Sequence, residues 1–392
     1  MGFPLLLKRI GIAAAVLALT AAAGCSWFEE PEEDLDFAAY EGRLTDMYNE
    51  SNRLTAELDE SEARIIQDCL EEQGFTLHDP GIFNSMVPPE TDNLLGAPPY
   101  DTFLPTVEEA ERRGFWQWAA LDGAEDFDAA LYAEHEAELQ AELALSMGEE
   151  LAAEMFTDEL DEFYLQDPAD QFAWYVAYGG DTWAAAKYPD LGGPGTKTDA
   201  SGEGVYVNPP PEGCLLEMVE AVYGEFQASE NEEEGWTDWL YRPEPPNGDG
   251  QAMHERYAER TADAEGPLLD CLADRGSTGW EFQNDRILVR EYLVAAGETV
   301  NPADIGTETT GPWPEVPEEV PDVADVEAWL AFERDLAADF AACGDESGFR
   351  EAADHAWEQA QLRYYLDIED ETYAWQEEMR GYLANAQEVI EG

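Results

Sequence analysis

The chain has 392 residues, of which 44% are hydrophobic and 11% aromatic, which is enough apolar material for a folded core and excludes wholesale disorder. Its 89 acidic residues outnumber the 19 lysines and arginines, so the net charge is −70. A field of this sign repels phosphate, so we expect no nucleic-acid partner and only weak, dispersed association of divalent cations, without a dedicated metal site.

The N-terminus has the parts of an export signal: two basic residues, an apolar run over residues 10–19 that is too short to span a membrane, and then small residues. The segment Leu19–Cys25, LTAAAGC, resembles the lipobox of bacterial lipoproteins, with Ala22 where that motif most often has leucine. The resemblance implies cleavage after Gly24 and a diacylglycerol on Cys25, whose two acyl chains give a stable anchor. The alternative is ordinary secretory cleavage beside a chance cysteine.

This interpretation divides the chain into a lipoprotein signal peptide (1–24), an acidic lipid-anchored tether (25–35) and an ectodomain (36–392) on the extracellular face of the cell membrane. Cleavage removes Lys8 and Arg9 and so moves the net charge from −70 to −72. Loops rich in glycine and proline suggest two candidate halves of the ectodomain, 36–227 and 251–392.

Helical periodicity dominates the ectodomain. Apolar residues recur at steps of three and four from Phe37 to Ile65, and Cys69 continues the stripe to a helix end that Gly74 closes. The same spacing predicts a long helix within 127–164 and another that begins at Gly213. Further helices are predicted over 252–274, 285–296, 323–342 and 349–390, the last as two helices or one kinked helix.

Alternation with a period of two is scarce, and only Gly204–Val207 suggests a short strand. Residues 187–213, 228–250 and 298–320 are predicted to be long loops, because glycine, proline and acidic residues are dense there. We therefore predict a mostly α fold, an irregular multi-helix domain with long amphipathic helices, long Gly/Pro-rich loops and disulfide staples.

Four cysteines remain after Cys25: Cys69, Cys214, Cys271 and Cys343. An even number in an exported chain favours two disulfides, and three pairings are open. Zinc is disfavoured because no two cysteines are close in sequence, and reactive thiols are disfavoured because neighbouring carboxylates raise thiol pKa values. Each of Cys69, Cys271 and Cys343 is followed by a glycine five positions later, which indicates either a repeated helix stop or an internal duplication.

Several short motifs together resemble a family of large, helical, uncharacterised lipoproteins exported by high-GC Gram-positive bacteria. These motifs are Cys69–Phe75, Trp174–Gly180, Gly213–Gly224, Cys271–Asp274 and Asp335–Cys343, and they extend over most of the chain from Glu62 onward. The resemblance implies an anchored helical ectodomain with two disulfides, and it brings no known activity or catalytic residue. We expect Cys69 to pair with Cys214 and Cys271 with Cys343, since this joins each Cys-x₄-Gly helix end to the next cysteine within one half.

The sequence contains no motif that is specific to catalysis. With 89 acidic residues almost any two positions supply a carboxylate pair, and no nucleophile elbow or Walker loop is present. The four histidines (His78, His135, His254 and His355) form no metal motif and are interpreted as isolated surface residues. We therefore expect no catalytic residues, no metal ligands and no cofactor.

Aromatic residues cluster in three segments, Phe115–Trp118, Trp174–Trp183 and Trp236–Tyr241. They are candidates for a platform that stacks a sugar or a choline-like cation, but filling the core is the favoured interpretation. The overall hypothesis is a membrane-anchored lipoprotein that binds or interacts with an unidentified solute or protein. The alternatives are an enzyme that acts on the cell wall, such as a carboxylate glycosidase, and an envelope assembly factor.

Overall fold

A computed structural model of the chain describes residues 33–85, 87–148, 161–187, 209–231, 236–297, 311–317 and 320–392. Residues Phe37–Gly392 form one compact unit. The unit is built mainly from helices, which confirms the predicted mostly α class. Within the described residues, no helix combines the length and the apolar character that crossing a bilayer requires.

The helices of the described chain range in length from 4 to 43 residues. They are α1 Phe37–Glu72, α2 Pro80–Phe83, α3 Val107–Arg113, α4 Ala124–Phe127, α5 Ala129–Met147, α6 Pro168–Gly179, α7 Asp181–Lys187, α8 Gly213–Val222, α9 Gly250–Asp274, α10 Val289–Gly297, α11 Val326–Glu346 and α12 Phe349–Glu391. Three turns of 3₁₀-helix lie at Pro99–Thr102, Gln117–Ala120 and Glu162–Leu165.

The last helix organises the fold. Helix α12 is one continuous helix of 43 residues, so the prediction of two helices over 349–390 is wrong. Its C-terminal half runs parallel to α1, with ion pairs from Arg43 to Glu369 and from Arg380 to Glu50. Its N-terminal half packs against α9. The helix therefore crosses the whole compact unit.

Two hydrophobic cores lie along α12. One surrounds Trp118, Trp329 and Phe349, and the other surrounds Leu58, Trp174 and Met379. Each core takes side chains from both 36–227 and 251–392, so the candidate halves do not correspond to two separately packed domains. The reason is that α12 returns to pack on α1 at the start of the unit.

The segment predicted as an acidic loop, 228–250, contains part of an antiparallel hairpin. Strand β1 (Gln227–Asn231) pairs with β2 (Trp236–Leu240), with Ala228 opposite Trp239. The strands carry polar residues on both faces, which hides the alternation that predicts a strand. The predicted strand Gly204–Val207 lies outside the described residues, as do residues 149–160 of the predicted helix 127–164. Of that helix, α5 covers 129–147, whereas residues 162–164 belong to a separate 3₁₀ turn, which Asp161 caps by accepting from the Phe163 amide (2.7 Å).

Disulfides join Cys69 to Cys214 and Cys271 to Cys343, with Cα–Cα distances of 5.8 and 5.6 Å. This is the pairing that the sequence analysis expected. It staples α1 to α8 and α9 to α11, so each bond fixes the end of one long helix against another helix.

The repeated Cys-x₄-Gly frame is a shared helix stop. Gly74 and Gly276 both adopt left-handed backbone, with φ of +99° and +100°. The amide that follows each glycine donates to a carbonyl five residues earlier, from Phe75 to Leu70 (3.1 Å) and from Ser277 to Leu272 (2.9 Å). The cysteines bonded to Cys69 and Cys271 occupy different positions in their helices: Cys214 lies in the first turn of α8, whereas Cys343 lies in the last turn of α11. The similarity therefore ends with the stop itself.

Candidate functional site

Two neighbouring grooves lie beside the N-terminal half of α12. Groove A has a volume of about 750 Å³ and lies between α12 and residues 93–98. Groove B, about 660 Å³, lies between the start of α9, residues 284–286 and the 3₁₀ turn Pro99–Thr102. A third groove, groove C, about 570 Å³, lies between α1 and the end of α12.

Grooves A and B share a wall. Pro98 lines groove A, whereas Pro99 and Thr102 line groove B. The Trp357 ring lines groove A and lies 5.7 Å from the ring of His254 in groove B. The two cavities are therefore adjacent and separated by one chain segment and two aromatic rings.

The outer wall of groove A is held by polar contacts to two helices. Asn49 of α1 donates to the Thr91 carbonyl (2.8 Å), which fixes the start of the wall. Trp357 donates from Nε1 to the Gly96 carbonyl (2.8 Å), and the Gly96 amide donates to Gln361 Oε1 (3.3 Å). These bonds hold an irregular segment in one position beside α12.

Groove A is negatively charged. Asp345, Glu351, Asp354 and Glu358 line it. Arg350 also lines it, but its guanidinium is bound to Asp345 (2.8 Å) and to the carbonyls of Leu104 (3.1 Å) and Pro105 (2.8 Å). No arginine in the described part of the chain forms an ion pair with Glu351, Asp354 or Glu358.

Groove B contains a histidine–aspartate pair. His254 Nδ1 lies 2.6 Å from Asp285 Oδ2, and the His254 side chain is 49% exposed. Asn284, the residue before Asp285, has a left-handed backbone (φ +60°), which asparagine tolerates better than most residues. The pair fixes the imidazole ring by its Nδ1 side, so Nε2 is the nitrogen available to the groove.

Three polar groups of this region, Tyr100, Asp101 and Tyr257, have raised pKa values. The Tyr100 hydroxyl donates to Asp354, while Tyr257 is fully buried and its hydroxyl has no hydrogen-bond partner among the described residues. Burial, followed by the charge of Asp285, raises the pKa of Tyr257. Burial raises the pKa of Asp101 to about 6, with a further contribution from the charge of Glu109.

The sequence analysis interpreted all four histidines as isolated surface residues, and this is wrong for His254, which is paired with an aspartate. His254 pairs with an aspartate 31 positions later, and His355 lines groove A. His78 and His135 lie elsewhere: His78 Nδ1 accepts from Trp174 Nε1 (3.3 Å), and the His135 ring lies 4.9 Å from Trp116.

The aromatic segments mostly fill the core, as the favoured interpretation expected. Trp118, Trp174 and Tyr175 are each 1% exposed or less. Trp357, which does line a groove, was not among the candidates, because a single tryptophan in a helical stripe gives no separate signal. Cys25, the predicted lipid-attachment residue, lies outside the described residues.

The most buried carboxylate of the described chain is Glu333 on α11. It is fully buried and accepts hydrogen bonds from the backbone amides of Phe115 (3.0 Å), Gln117 (2.8 Å) and Trp118 (2.7 Å). The loop forms a concave nest of N–H groups, in which Trp116 has a left-handed backbone (φ +65°) that is rare for a large side chain. Among 89 acidic residues, nothing in the local sequence distinguishes this one.

Substitution of Glu333 tests this nest. Glu333→Ala removes the two oxygens that accept the three hydrogen bonds and should lower the free energy of unfolding by about 4 kcal/mol. Glu333→Gln should lower it by about 2 kcal/mol, because one N–H then faces the amide NH₂ group. Urea unfolding at pH 8 measures both. Wild-type stability in either variant would contradict a role for the nest.

The same residue makes stability depend on pH. Burial raises the pKa of Glu333 from 4.5 to about 7, against the opposing effect of the three amides. The folded state therefore binds more protons than the unfolded state, and stability should fall by up to about 3 kcal/mol as pH rises from about 4.5 to 7. Urea unfolding at pH 5 and pH 8 measures this effect. In the Glu333→Gln variant, the free energy of unfolding should no longer show the part of its pH dependence that comes from Glu333.

Groups of three or more histidine, cysteine or acidic side chains placed to hold a metal ion are absent from the described residues. No protein-family model, curated protein or solved structure matches the chain.

Proposed function

We propose that the chain is a lipoprotein anchored through Cys25 on the extracellular face of the membrane, and that its ectodomain binds a solute in grooves A and B. The observation that carries the binding role is the pair of adjacent grooves, whose irregular walls are held by specific hydrogen bonds. Cavities of this size are typical of sites for small ligands.

The compartment is supported by the disulfides and the N-terminal motif. Cys69–Cys214 and Cys271–Cys343 would persist in the oxidising environment outside the membrane. The lipobox-like Leu19–Cys25 supplies the signal for anchoring.

Binding without covalent catalysis is favoured by the groove linings. Among the described residues that line grooves A and B, Thr102 has the one hydroxyl side chain, and it donates to the Pro99 carbonyl (3.0 Å). The hydroxyl hydrogen of Thr102 is thus directed at a backbone carbonyl and not at His254, whose pairing with Asp285 suits it to accept a hydrogen bond from a ligand.

A carboxylate glycosidase is the second candidate. Groove A combines Trp357 with several carboxylates, including Glu351 and Glu358, which are the residue types that hydrolyse glycosidic bonds. A binding protein should release its ligand unchanged, whereas a glycosidase should convert a bound cell-wall fragment into products.

The anchor is tested by labelling. The wild-type chain should incorporate labelled palmitate and partition into the detergent phase, and Cys25→Ala should do neither. Equal labelling of the two proteins would remove the lipoprotein proposal and leave ordinary secretion in its place.

The binding role is tested on protein extracted from native membranes with a non-ionic detergent. Denaturation should release a compound, identified by mass spectrometry, that is missing from the variant E351R/E358R, in which two groove A carboxylates are reversed. The variant E60R/E391R, with the same charge change in groove C, should retain the compound. Identical extracts from all three proteins would end the proposal of binding at grooves A and B.

A further inference from the structure

One asparagine of the chain is followed by a glycine. This step, Asn247–Gly248, lies between β2 and α9, and it is the one Asn-Gly pair in the sequence. Glycine has no Cβ to shield its backbone nitrogen, so this nitrogen can approach the side-chain amide carbon of the asparagine before it. Attack at that carbon forms a five-membered succinimide ring and releases ammonia. The sequence therefore marks residue 247 as a position where the chain can modify itself.

The segment that contains this step is fixed on both sides. Trp375 of α12 donates from Nε1 to the Pro243 carbonyl (3.0 Å). On the other side, the Asp249 carboxylate accepts from the Ala252 amide (2.9 Å) and so caps the start of α9. The two residues of the step are therefore held in one arrangement, while the asparagine is exposed and accessible to water.

The Tyr364 hydroxyl contacts both reacting groups. It donates to Asn247 Oδ1 (2.7 Å) and accepts from the Gly248 amide (3.2 Å). The ring of Tyr364 lies so close to Gly248 that a Cβ at this position would be 2.5 Å from a ring carbon, so only glycine fits. One hydroxyl group therefore bridges the nitrogen that attacks and the carbonyl oxygen that gains negative charge during the attack.

We infer that Asn247 is a site of self-catalysed deamidation and that Tyr364 is its catalytic residue. The Gly248 nitrogen forms a bond to Asn247 Cγ and passes its proton to the Tyr364 oxygen, while the Tyr364 hydroxyl passes its own proton to Oδ1. The Oδ1 proton then moves to Nδ2, the Cγ–Nδ2 bond breaks and ammonia leaves. Tyr364 ends with the proton count with which it began, and water opens the succinimide to aspartate or isoaspartate.

The isoaspartate product changes the start of α9. Its backbone runs through the former side chain and is one methylene longer, directly before the cap that Asp249 forms. The first turn of α9 also carries Gln251, which lines groove B. The modification therefore alters the chain segment that positions one wall of a groove.

Peptide mass spectrometry of the folded, detergent-solubilised protein, incubated at pH 7.5 and 37 °C, tests this inference. We expect loss of ammonia at Asn247, followed by gain of water, at a rate roughly tenfold or more above that of the variant Y364F. The matched control Y365F loses the hydroxyl of the next tyrosine, whose ring packs against Tyr48, and should react as the wild type does. In concentrated urea all three proteins should react at one common, lower rate, because the proton relay exists only in the folded chain.

Two results would overturn the inference by way of the variants. A folded Y364F protein that reacts as fast as the wild type would show that the hydroxyl takes no part, and equal slowing in Y364F and Y365F would show that the effect comes from packing. The wild type compared in its folded and unfolded states needs no substitution, so a folded rate no higher than the rate in urea would overturn the inference even if Y364F fails to fold. Circular dichroism melting curves of the same samples show which variants are folded.

Discussion

The melting temperature of the mature protein should rise by about 10 to 20 °C between 0.01 and 1 M NaCl. The chain carries 89 acidic residues and a net charge of −70, which the proposed cleavage of the leader would change to −72. Most arginines of the described chain are already engaged, as in the contacts of Arg53 with Glu50 and Glu57. The remaining carboxylates repel one another across the folded surface, and unfolding spreads them apart.

The size of this change in melting temperature is the sum of many weak repulsions. If salt removes about 0.2 kcal/mol of repulsion for each excess carboxylate, the free energy of unfolding increases by roughly 14 kcal/mol in total. An unfolding entropy of about 2 cal/mol/K per residue converts this sum into the stated change of melting temperature. Salt acts because the Debye length falls from about 30 Å at 0.01 M to about 3 Å at 1 M.

Acid should act in the same direction as salt. Burial raises the pKa of Asp101 to about 6 and of Glu333 to about 7, and it also raises the pKa of Glu62 and Glu265. These carboxyls bind more protons when the chain is folded, so stability should increase as pH falls from 7 toward 5. Differential scanning calorimetry across salt and pH measures both effects. A melting temperature that stays constant from 0.01 to 1 M NaCl would show that the acidic residues are compensated locally.

Removal of the disulfide between Cys69 and Cys214 should lower the free energy of unfolding by about 5 kcal/mol. The bond closes a loop whose ends are 145 residues apart, and loss of loop-closure entropy from the unfolded chain gives this magnitude. The second bond spans 72 residues and should contribute about 4 kcal/mol. Both values describe the unfolded state, whose chain gains conformational freedom when the bond is removed.

The double variants C69A/C214A and C271A/C343A test this expectation by urea unfolding. Alanine is the appropriate replacement because Cys214 and Cys343 are fully buried and a serine hydroxyl would lack a partner there. The two loops do not overlap in sequence, so the losses should add in the quadruple variant. Unchanged unfolding midpoints, or a quadruple variant no weaker than either double variant, would show that the loop-entropy account does not apply.

The helical class and the helix ends are properties that the sequence by itself determined. The stripe from Phe37 to Ile65 buries one face of α1, and Gly74 ends the helix in left-handed backbone, because both features depend on residues within one or two turns. The pairing of Cys69 with Cys214 also agrees with a prediction from helix ends. The apolar stripe and the helix end need no knowledge of distant parts of the chain.

The grooves and the buried polar groups were decided only by the tertiary structure. His254 meets Asp285, and Glu333 meets the amides of Phe115 to Trp118, across separations of 31 and more than 200 residues. In a chain with 89 acidic residues, the identity of a carboxylate says nothing about which one is buried, paired or placed along a groove. That choice depends on the packing of α12 against both α1 and α9, and long-range contacts of this kind leave no periodic signal in the local sequence.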